Sequence, residues 1–281
     1  MKVKNTLDDD LQKACDSHLH IFDPRFPERP GYGDRYMGAT VSDYLEVRQR
    51  LGTHRAVVVQ AKRYGTDNTC LLDALAQLGN DARGIAVVAS NADDSTLRHL
   101  DAHGVRGLRF SVWNPADTVM TVDMLESLAC RIADLGWHVQ LHMGGDQIVE
   151  HAALLRRLPC PIVFDHMARL PPDMGVRHPA WAVLQYLLEH DKCWVKLSGA
   201  YLNSTTGTPD YPEATSIAQA FVRAAPQRLV WGSDWPHVTE TQAGRRIETV
   251  DLLTLLEQWA PDPALRHMIL VENPCQLYGF D

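Results

Sequence analysis

Hydrophobic and polar positions follow one repeating unit along this chain. A short, almost continuous apolar run is followed by a polar turn and then by a segment with apolar residues at helical spacing. Because the runs show little alternation with polar residues, they are typical of strands that are buried on both faces. Eight such runs are predicted as strands, within residues 15–22, 56–60, 84–88, 105–110, 137–142, 161–166, 194–198 and 229–234.

Helical patterns fill most of the intervals between these runs. Thr40 followed by Asp43 resembles a capping box, and the apolar spacing after it predicts a helix that ends at Gly52. The Pro- and Gly-rich residues 23–38 predict a long loop, and a loop of this length is typical of a lid or a binding loop. Further helices are predicted near residues 67–78, 95–103, 122–135, 147–158, 180–190 and 218–225, with closing helices at 251–260 and 263–277.

Eight buried strands separated by helices predict a closed parallel (β/α)8 barrel, an α/β fold formed by residues 1–281 as a single domain. The length of 281 residues suits this fold. A doubly wound open sheet is the alternative, and it would favour a Gly-x-Gly-x-x-Gly phosphate fingerprint after the first strand. The sequence contains no such fingerprint at that position.

Composition and charge narrow the classes of partner. The chain is 45% hydrophobic and has a formal net charge of -8, which argues against a nucleic-acid surface or an acidic membrane as partner. A small anionic substrate remains compatible if local arginines receive it. The six cysteines form no Cys-x-x-Cys pair and are interpreted as reduced core residues. Residues 1–10 lack a signal-peptide-like apolar region, so we expect a cytoplasmic protein, with a homo-oligomer left open.

Two histidines in the first predicted strand introduce candidate chemistry. His18 and His20 are two residues apart, so their side chains point to the same face of a strand. This is chelating geometry for one divalent metal ion, because imidazole nitrogen suits zinc and its neighbours. The alternative is a chance pair of histidines on a polar face.

The other strand ends supply more groups of this kind. In a (β/α)8 barrel the chemistry lies at the carboxyl ends of the strands. His18, His20, His142 and Asp234 are predicted to converge there on one divalent ion, with zinc preferred and with room for a water. His166 would then act as a general base or as a donor to a developing oxyanion. The alternative for each single histidine is a satisfied polar residue that lines a cavity.

Several longer motifs resemble one known family. The chain is similar to the amidohydrolase superfamily, and within it to the branch of 2-pyrone-4,6-dicarboxylate lactonases, sulfomuconolactone hydrolases and sugar-lactone hydrolases and isomerases. Residues 65–68 (Gly-Thr-Asp-Asn) add to the likeness with the pyrone-dicarboxylate type. The motifs that carry the resemblance are Cys15-Asp16-Ser17-His18-Leu19-His20, Asp165-His166-Met167-Ala168-Arg169, Trp231-Gly232-Ser233-Asp234-Trp235-Pro236-His237 and Glu272-Asn273-Pro274.

The resemblance implies roles for individual residues. Asp234 is similar to the aspartate that activates the attacking water, and His166 to the histidine that polarises the lactone carbonyl. Arg109 and Arg169 match arginines that hold substrate carboxylates, a task suited to a planar fork of donors. The other predicted substrate-binding residues are Lys62, for which a structural ion pair is the alternative, Thr66 of the Gly-Thr-Asp-Asn motif, and His237, which would orient Asp234 or touch the substrate.

Departures from the family pattern bear on the substrate. The dicarboxylate lactonases carry further basic residues where this chain has Trp113-Asn114-Pro115 and Ala200-Tyr201-Leu202. A lactone with one carboxylate or a polyhydroxy ring is therefore easier to accommodate than a doubly anionic pyrone. Trp113 and Tyr36 could stack on a flat ring, or pack the loops.

Members of this branch differ in whether they use a metal ion. The pyrone-dicarboxylate lactonases work without metal and carry a non-ligand at the position of His142, whereas His142 restores the ligand set of the zinc-using relatives. The sequence therefore predicts a zinc-dependent lactone hydrolase that acts on a small lactone or its open carboxylate, with a metal-free enzyme as the alternative. Other functions that remain open are a sugar-lactone isomerase, a non-hydrolytic decarboxylase and a non-catalytic binding barrel.

Overall fold

The computed structural model describes residues 13–30 and 38–281. The described residues contain eight strands, which pair in parallel in sequential order, as the apolar runs predict. Interleaved helices cover the outside of the sheet, so the predicted (β/α)8 barrel is confirmed. The strands are β1 Cys15–Leu19, β2 Arg55–Val59, β3 Ala82–Ala86, β4 Val105–Ser111, β5 His138–His142, β6 Ile162–Phe164, β7 Cys193–Leu197 and β8 Leu229–Trp231.

The barrel closes between β1 and the chain that follows β8. Leu19 and Trp235 form a parallel bridge. The Asp234 N–H donates to the His18 carbonyl at 2.8 Å. A Cβ atom at Gly232 would lie 2.6 Å from the His18 Cβ, so only glycine allows this close approach. Closure therefore brings the first and last strands together at the residues that carry the candidate chemistry.

The helices largely follow the predicted pattern. The capping box of Thr40 and Asp43 is present, and Gly52 ends the first helix in the left-handed conformation, with φ 73°. No helix among the described residues is long and apolar enough to cross a bilayer. The helices are α1 Val41–Leu51, α2 Thr69–Leu78, α3 Asp94–Ala102, α4 Leu125–Ala133, α5 Gly145–Glu150, α6 Ala152–Arg157, α7 Ala180–Glu189, α8 Pro212–Ala224, α9 Val238–Gln242, α10 Thr249–Trp259, α11 Pro263–His267 and α12 Asn273–Tyr278.

Several strands end earlier than the apolar pattern predicts. β6 stops at Phe164 and β8 at Trp231. His166 and Asp234 have φ values of 50° and 58°, in the left-handed region that non-glycine residues rarely adopt. Such backbone is costly and is concentrated at functional sites. These two residues therefore stand on tight turns above the strands and not within them.

The core has an inner and an outer part, because successive strand residues face opposite sides of the sheet. Val57, Val59 and Ile85 pack with Val163 and Val230 in one buried cluster. The larger cluster includes the apolar faces of the surrounding helices.

Two sequence predictions need correction or lie outside the described residues. The cysteines are free, as predicted, but Cys130 is exposed and Cys275 is half-buried, so these two are not core residues. Phe22 and Ala39, which flank the predicted loop at residues 23–38, form an antiparallel bridge at its base. Residues 31–37, including Tyr36, lie outside the described residues.

Candidate active site

His18 and His20 form the floor of the site at the carboxyl end of β1. Their Nε2 atoms are 3.3 Å apart. The His20 Nδ1 lies 2.9 Å from the carbonyl oxygen of Val59, which can only accept, so Nδ1 carries a proton and Nε2 is the nitrogen that can offer a lone pair to a ligand. Burial lowers the pKa of His18 well below its ordinary value, so this imidazole is neutral. The floor is therefore formed by two imidazoles that face each other, and that of His18 is neutral.

Asp234 completes this floor from the turn after β8. Its Oδ1 lies 3.5 Å from His18 Nε2 and 3.6 Å from His20 Nε2. Its Oδ2 accepts a hydrogen bond of 2.6 Å from the Tyr201 hydroxyl. Burial alone would raise the pKa of Asp234, but the imidazoles of His166, His20 and His18 hold it well below its ordinary value. Asp234 is therefore a carboxylate with one oxygen fixed by Tyr201 and the other directed at the histidines.

His166 approaches the same carboxylate oxygen from the turn after β6. Its Nε2 lies 4.0 Å from Asp234 Oδ1, and its Nδ1 lies 2.9 Å from the Ser198 hydroxyl. Burial lowers the pKa of His166 to about 4, against the opposite effect of Asp234. If the Ser198 hydroxyl donates to Nδ1, the neutral ring carries its proton on Nε2 and directs it toward Asp234.

The separations on this floor fit a metal ion. Two atoms that are each about 2.0–2.2 Å from a tetrahedral ion lie roughly 3.3–3.6 Å apart. The ligand atoms of His18, His20 and Asp234 are separated by 3.3, 3.5 and 3.6 Å. Those of His18, His166 and Asp234 also lie within 4.8 Å of one another. Three of the four predicted ligands therefore converge, and His166 belongs to the same cluster.

The fourth predicted ligand, His142, lies beside this cluster at the end of β5. Its ring centroid is 5.3 Å from that of His166. The Nδ1 is 3.0 Å from the Ser111 hydroxyl, and the buried Nε2 has no hydrogen-bond partner among the described residues. A buried imidazole nitrogen without a partner is costly. His142 therefore offers a nitrogen to a ligand bound in the site.

A layer of buried charges lies next to the histidines. Asp165 is fully buried, and its Oδ2 accepts a hydrogen bond of 3.0 Å from Arg109 Nε. Lys196, also fully buried, donates to Gln140 Oε1 at 2.7 Å, and burial lowers its pKa to about 8. Burial would raise the pKa of Asp165, but His18, Arg109 and Lys196 hold it well below its ordinary value. The negative charge of Asp165 is thus balanced by two buried cations.

A cavity of about 620 Å³ opens above the floor. Arg109 lines this cavity, as the sequence predicts for a substrate-binding arginine. Lys62 also lines the cavity and forms an ion pair with Asp117, with 3.3 Å between Nζ and Oδ2. Its position therefore fits both predicted roles, substrate binding and a structural ion pair. The other lining residues that bear on the chemistry are His20, His142, His166, Asp234, Trp113 and Leu202.

Arg169 and Trp113 form a stacked pair, of which Trp113 lines the cavity. The Arg169 guanidinium carbon lies 4.1 Å from the Trp113 ring centroid, and Nη1 donates to the Leu202 carbonyl at 2.6 Å. The buried Nε of Arg169 has no hydrogen-bond partner among the described residues. Trp113 stacks on His142, is 44% exposed and lines the cavity. Arg169 therefore packs behind Trp113 and does not itself line the cavity, whereas Trp113 does.

Two further predicted substrate-binding residues, like Arg169, do not line this cavity. Thr66 is exposed on the turn after β2 and does not line the cavity. His237 is buried, with Nε2 2.9 Å from the Thr249 hydroxyl and Nδ1 3.4 Å from the Tyr201 hydroxyl. His237 therefore reaches Asp234 through Tyr201, which favours its orienting role over contact with substrate.

Sequence reasoning did not assign Asp165 or Tyr201 to the site. Asp165 directly precedes His166 in a quoted motif, and a carboxylate beside a candidate ligand is a usable signal. Tyr201 belongs to the stretch after β7, where the sequence signals only that a basic residue is missing. No periodicity points to a hydroxyl that reaches from β7 to β8, because this contact depends on the barrel geometry.

Comparison of the sequence with known proteins gives consistent results. The sequence model described as amidohydrolase matches residues 15–280. The chain is 34% identical over 270 residues to 4-sulfomuconolactone hydrolase of Rhizobium radiobacter, covering 95% of this chain and 90% of the relative. It is 33% identical over 275 residues to 2-pyrone-4,6-dicarboxylate hydrolase of Comamonas testosteroni, covering 94% and 90%. D-galactarolactone isomerase of Agrobacterium fabrum is 27% identical over 94% of this chain and 90% of its own length.

Solved structures resemble this chain over nearly its whole length. A crystal structure from Agrobacterium tumefaciens superposes with a TM-score of 0.87 at 26% identity, covering 96% of this chain and 95% of the other. A probable 2-pyrone-4,6-dicarboxylic acid hydrolase from Acinetobacter baumannii, solved with citric acid bound, superposes with a TM-score of 0.82 at 27% identity. The alignment covers 95% of this chain and all of that protein.

Proposed function

Because this chain belongs to the amidohydrolase family, we propose that it is a hydrolase that opens the ring of a small carboxylated lactone. The proposal rests on one observation. The Asp234 Oδ1 faces three imidazoles at the floor of a cavity that Arg109 also lines. A proton acceptor, a carbonyl-polarising group and an anion-binding group therefore share one cavity.

Asp234 is the proton acceptor in this mechanism. Its Oδ1 takes a proton from a water molecule, whose oxygen attacks the lactone carbonyl carbon. The low pKa of Asp234 keeps the group ionised at neutral pH. Since Tyr201 holds Oδ2, the basic lone pairs of Oδ1 point at the reacting water.

His166 stabilises the negative charge that develops on the carbonyl oxygen. The neutral ring, with Ser198 donating to Nδ1, directs its Nε2–H into the cavity. A donor fixed in advance needs no reorganisation during the reaction. When the tetrahedral adduct collapses, the bond to the ring oxygen breaks, and that oxygen receives the proton from Asp234. The product is an open carboxylic acid, which releases its proton to solvent as a carboxylate, with a free hydroxyl or its keto form.

His18, His20 and Asp234 would hold one divalent ion, preferably zinc, with His142 as a further ligand. Such an ion would act as a Lewis acid and lower the pKa of a bound water. Support comes from the ligand separations of 3.3–3.6 Å and from the unpartnered His142 Nε2. The chain's own residues fix the two ligand rings through the Val59 carbonyl and through contacts at His18 Nδ1.

The substrate class follows from the charges and shape of the cavity. Arg109 lines the cavity and would bind one carboxylate, and Trp113, which also lines it, is backed by the guanidinium of Arg169. Leu202 lines the cavity without a charge, and Asp117 compensates Lys62. A lactone with a single carboxylate therefore fits better than a doubly anionic ring.

A panel of muconolactones, sugar lactones and pyrone carboxylates tests the proposal by NMR. We expect a product with one added water from a singly carboxylated lactone. The Asp234→Asn variant should lose orders of magnitude in kcat while folding normally, because it removes the proton acceptor and keeps the shape. An Asp234→Asn enzyme that opens the lactone at the wild-type rate would refute the assignment.

Lactone isomerisation is the second candidate, since the isomerase relative aligns with nearly the whole chain. The same polarised carbonyl can support proton abstraction. An isomeric product in the NMR panel would identify this reaction, and released carbon dioxide would identify a decarboxylase. A cytoplasmic location and the absence of nucleic-acid or membrane partners stay predictions from the sequence.

A further inference from the structure

Asp165 contacts both halves of the site through its two oxygens. The Oδ2 accepts the hydrogen bond from Arg109 Nε at 3.0 Å, and Arg109 also lines the cavity. The Oδ1 lies 3.2 Å from His18 Nδ1. Asp165 is fully buried, so water does not compete for either oxygen. One carboxylate therefore stands between a candidate ion ligand and the candidate anion-binding arginine.

The contact with His18 is a close approach without a completed hydrogen bond. The Asp165 Oδ1 has no hydrogen-bond partner among the described residues, although Lys196 Nζ lies 3.9 Å from it as an ion-pair partner. The neighbour that does reach His18 Nδ1 is Lys196, with Nζ at 3.3 Å. A fully buried carboxylate oxygen without a partner is costly, and such groups are rare in folded proteins.

Two tautomers of His18 account for this arrangement. If Lys196 donates to Nδ1, the His18 proton is on Nε2 and can be donated to the bare Nε2 of His20 at 3.3 Å. A metal ion needs the lone pair of His18 Nε2, so binding it moves the proton to Nδ1. An acceptor for that Nδ1–H is Asp165 Oδ1, which lies 3.2 Å away and has no other hydrogen bond among the described residues.

We propose that Asp165 is a positioning residue that selects the ion-binding tautomer of His18 and, with its other oxygen, orients Arg109 toward the substrate carboxylate. The inference rests on the ion site and the anion-binding site of the proposed function. It adds that both depend on one buried carboxylate that touches neither ion nor substrate. Loss of Asp165 should therefore weaken metal binding and anion binding together.

The tautomer is measured directly on the full wild-type chain. Ring-15N-labelled protein is titrated with Zn²⁺ alone, and the His18 nitrogen resonances are assigned by comparison with a His18→Gln variant. We expect a protonated Nδ1 and a proton-free Nε2 in the zinc-loaded protein. A zinc-loaded protein in which His18 Nδ1 carries no proton would overturn the proposal, and this measurement does not depend on any Asp165 variant folding.

The shared role is tested with Asp165→Asn and two comparison variants. Zinc affinity is measured by competition with a chromophoric chelator, and anion affinity with 2-furoate, a flat ring with one carboxylate and no ester bond. Asp165→Asn should weaken zinc by about 10- to 100-fold, the usual effect of losing such a partner, and should also weaken 2-furoate. Arg109→Lys should weaken 2-furoate and leave zinc unchanged.

Glu240→Gln is the matched control. Glu240 is another buried carboxylate paired with an arginine, Arg245, and has no contact with His18 or Arg109. It should leave both affinities unchanged. Wild-type affinity of Asp165→Asn for either probe would overturn the shared role. Neither probe is turned over, so a failure of lactone hydrolysis in the wild type would refute the proposed function without affecting these results.

Discussion

The Tyr201 hydroxyl donates a hydrogen bond of 2.6 Å to Asp234 Oδ2, while Asp234 Oδ1 faces His18, His20 and His166. The two oxygens of this carboxylate therefore have different tasks. His237 continues the contact on the far side of Tyr201, at 3.4 Å from the hydroxyl. The orientation of the proposed proton acceptor is thus fixed from a neighbouring strand end.

Replacing Tyr201 by Phe should lower kcat for lactone opening. The variant keeps the ring and its packing but lets the Asp234 carboxylate rotate. Hydrogen bonds to charged groups contribute about 1.5–3 kcal/mol, so a loss of roughly tenfold to a hundredfold is expected. Steady-state kinetics should show an almost unchanged KM, because Tyr201 is not predicted to bind substrate. Tyr186→Phe, at a partly exposed position on α7, serves as the control. Equal kcat values for wild type and Tyr201→Phe would exclude the orienting role.

Replacing Ser198 by Ala should impair the polarisation of the carbonyl. The Ser198 hydroxyl is 2.9 Å from His166 Nδ1, and without it the neutral ring no longer has a partner that favours the Nε2–H tautomer. We expect kcat to fall about tenfold with little change in thermal stability, since partners of this kind typically matter tenfold or more. The check is kcat alongside the melting temperature. A variant whose melting temperature falls while kcat is retained would assign Ser198 a purely structural role.

Buried His138 predicts a loss of stability in acid. Burial lowers the pKa of His138 to about 3 from its ordinary 6.5, so below pH 6.5 the unfolded chain binds a proton that the folded protein does not. Stability from this group is fully present above pH 6.5 and is lost as the pH falls toward 3. The expected loss is about 2 kcal/mol at most by pH 5.

The His138→Gln variant isolates this contribution. Urea unfolding at pH 7, 6 and 5 should show a flatter pH dependence for His138→Gln than for the wild type. The control is His190→Gln, because His190 is exposed and should not affect the slope. Parallel curves for His138→Gln and wild type would mean that His138 is not the source of the acid sensitivity.

The barrel could be predicted from the sequence because its strands are short apolar runs with a helix after each. The ends of the strands could be predicted less well. The apolar pattern places His166 and Asp234 at the ends of their strands, whereas the structure places them on left-handed turns beyond β6 and β8. Hydrophobic patterns report burial, and both the strand and the turn after it are buried here.

The sequence predicts which residues belong to the candidate site. It does not predict which side chains contact one another there. His18, His20 and Asp234 converge because strand order alone brings β1 beside β8. The partners that set their chemistry, such as Tyr201 for Asp234 and Asp165 for His18, come from other strand ends. Their choice depends on side-chain reach across the barrel, which no spacing in the chain encodes.

The last prediction concerns the metal and depends on His142. The buried Nε2 of His142 has no partner among the described residues, beside a cluster whose ligand atoms have the separations that one zinc ion requires. Protein purified without chelator should therefore contain about one equivalent of zinc by elemental analysis, since sites formed by histidine and carboxylate ligands bind zinc tightly. Dialysis against a chelator should abolish lactone opening, and added zinc should restore it.

Two variants separate the ligands from their neighbours. His20→Asn should lose the metal, because His20 Nε2 is fixed as a bare nitrogen by the Val59 carbonyl. His142→Asn should reduce the zinc content if His142 is the fourth ligand, and should raise only the KM if its Nε2 binds substrate instead. Full activity with less than about a tenth of an equivalent of any transition metal would refute the metal prediction. The lactonase proposal would then rest on Asp234 and His166, which carry out proton transfer and carbonyl polarisation without an ion.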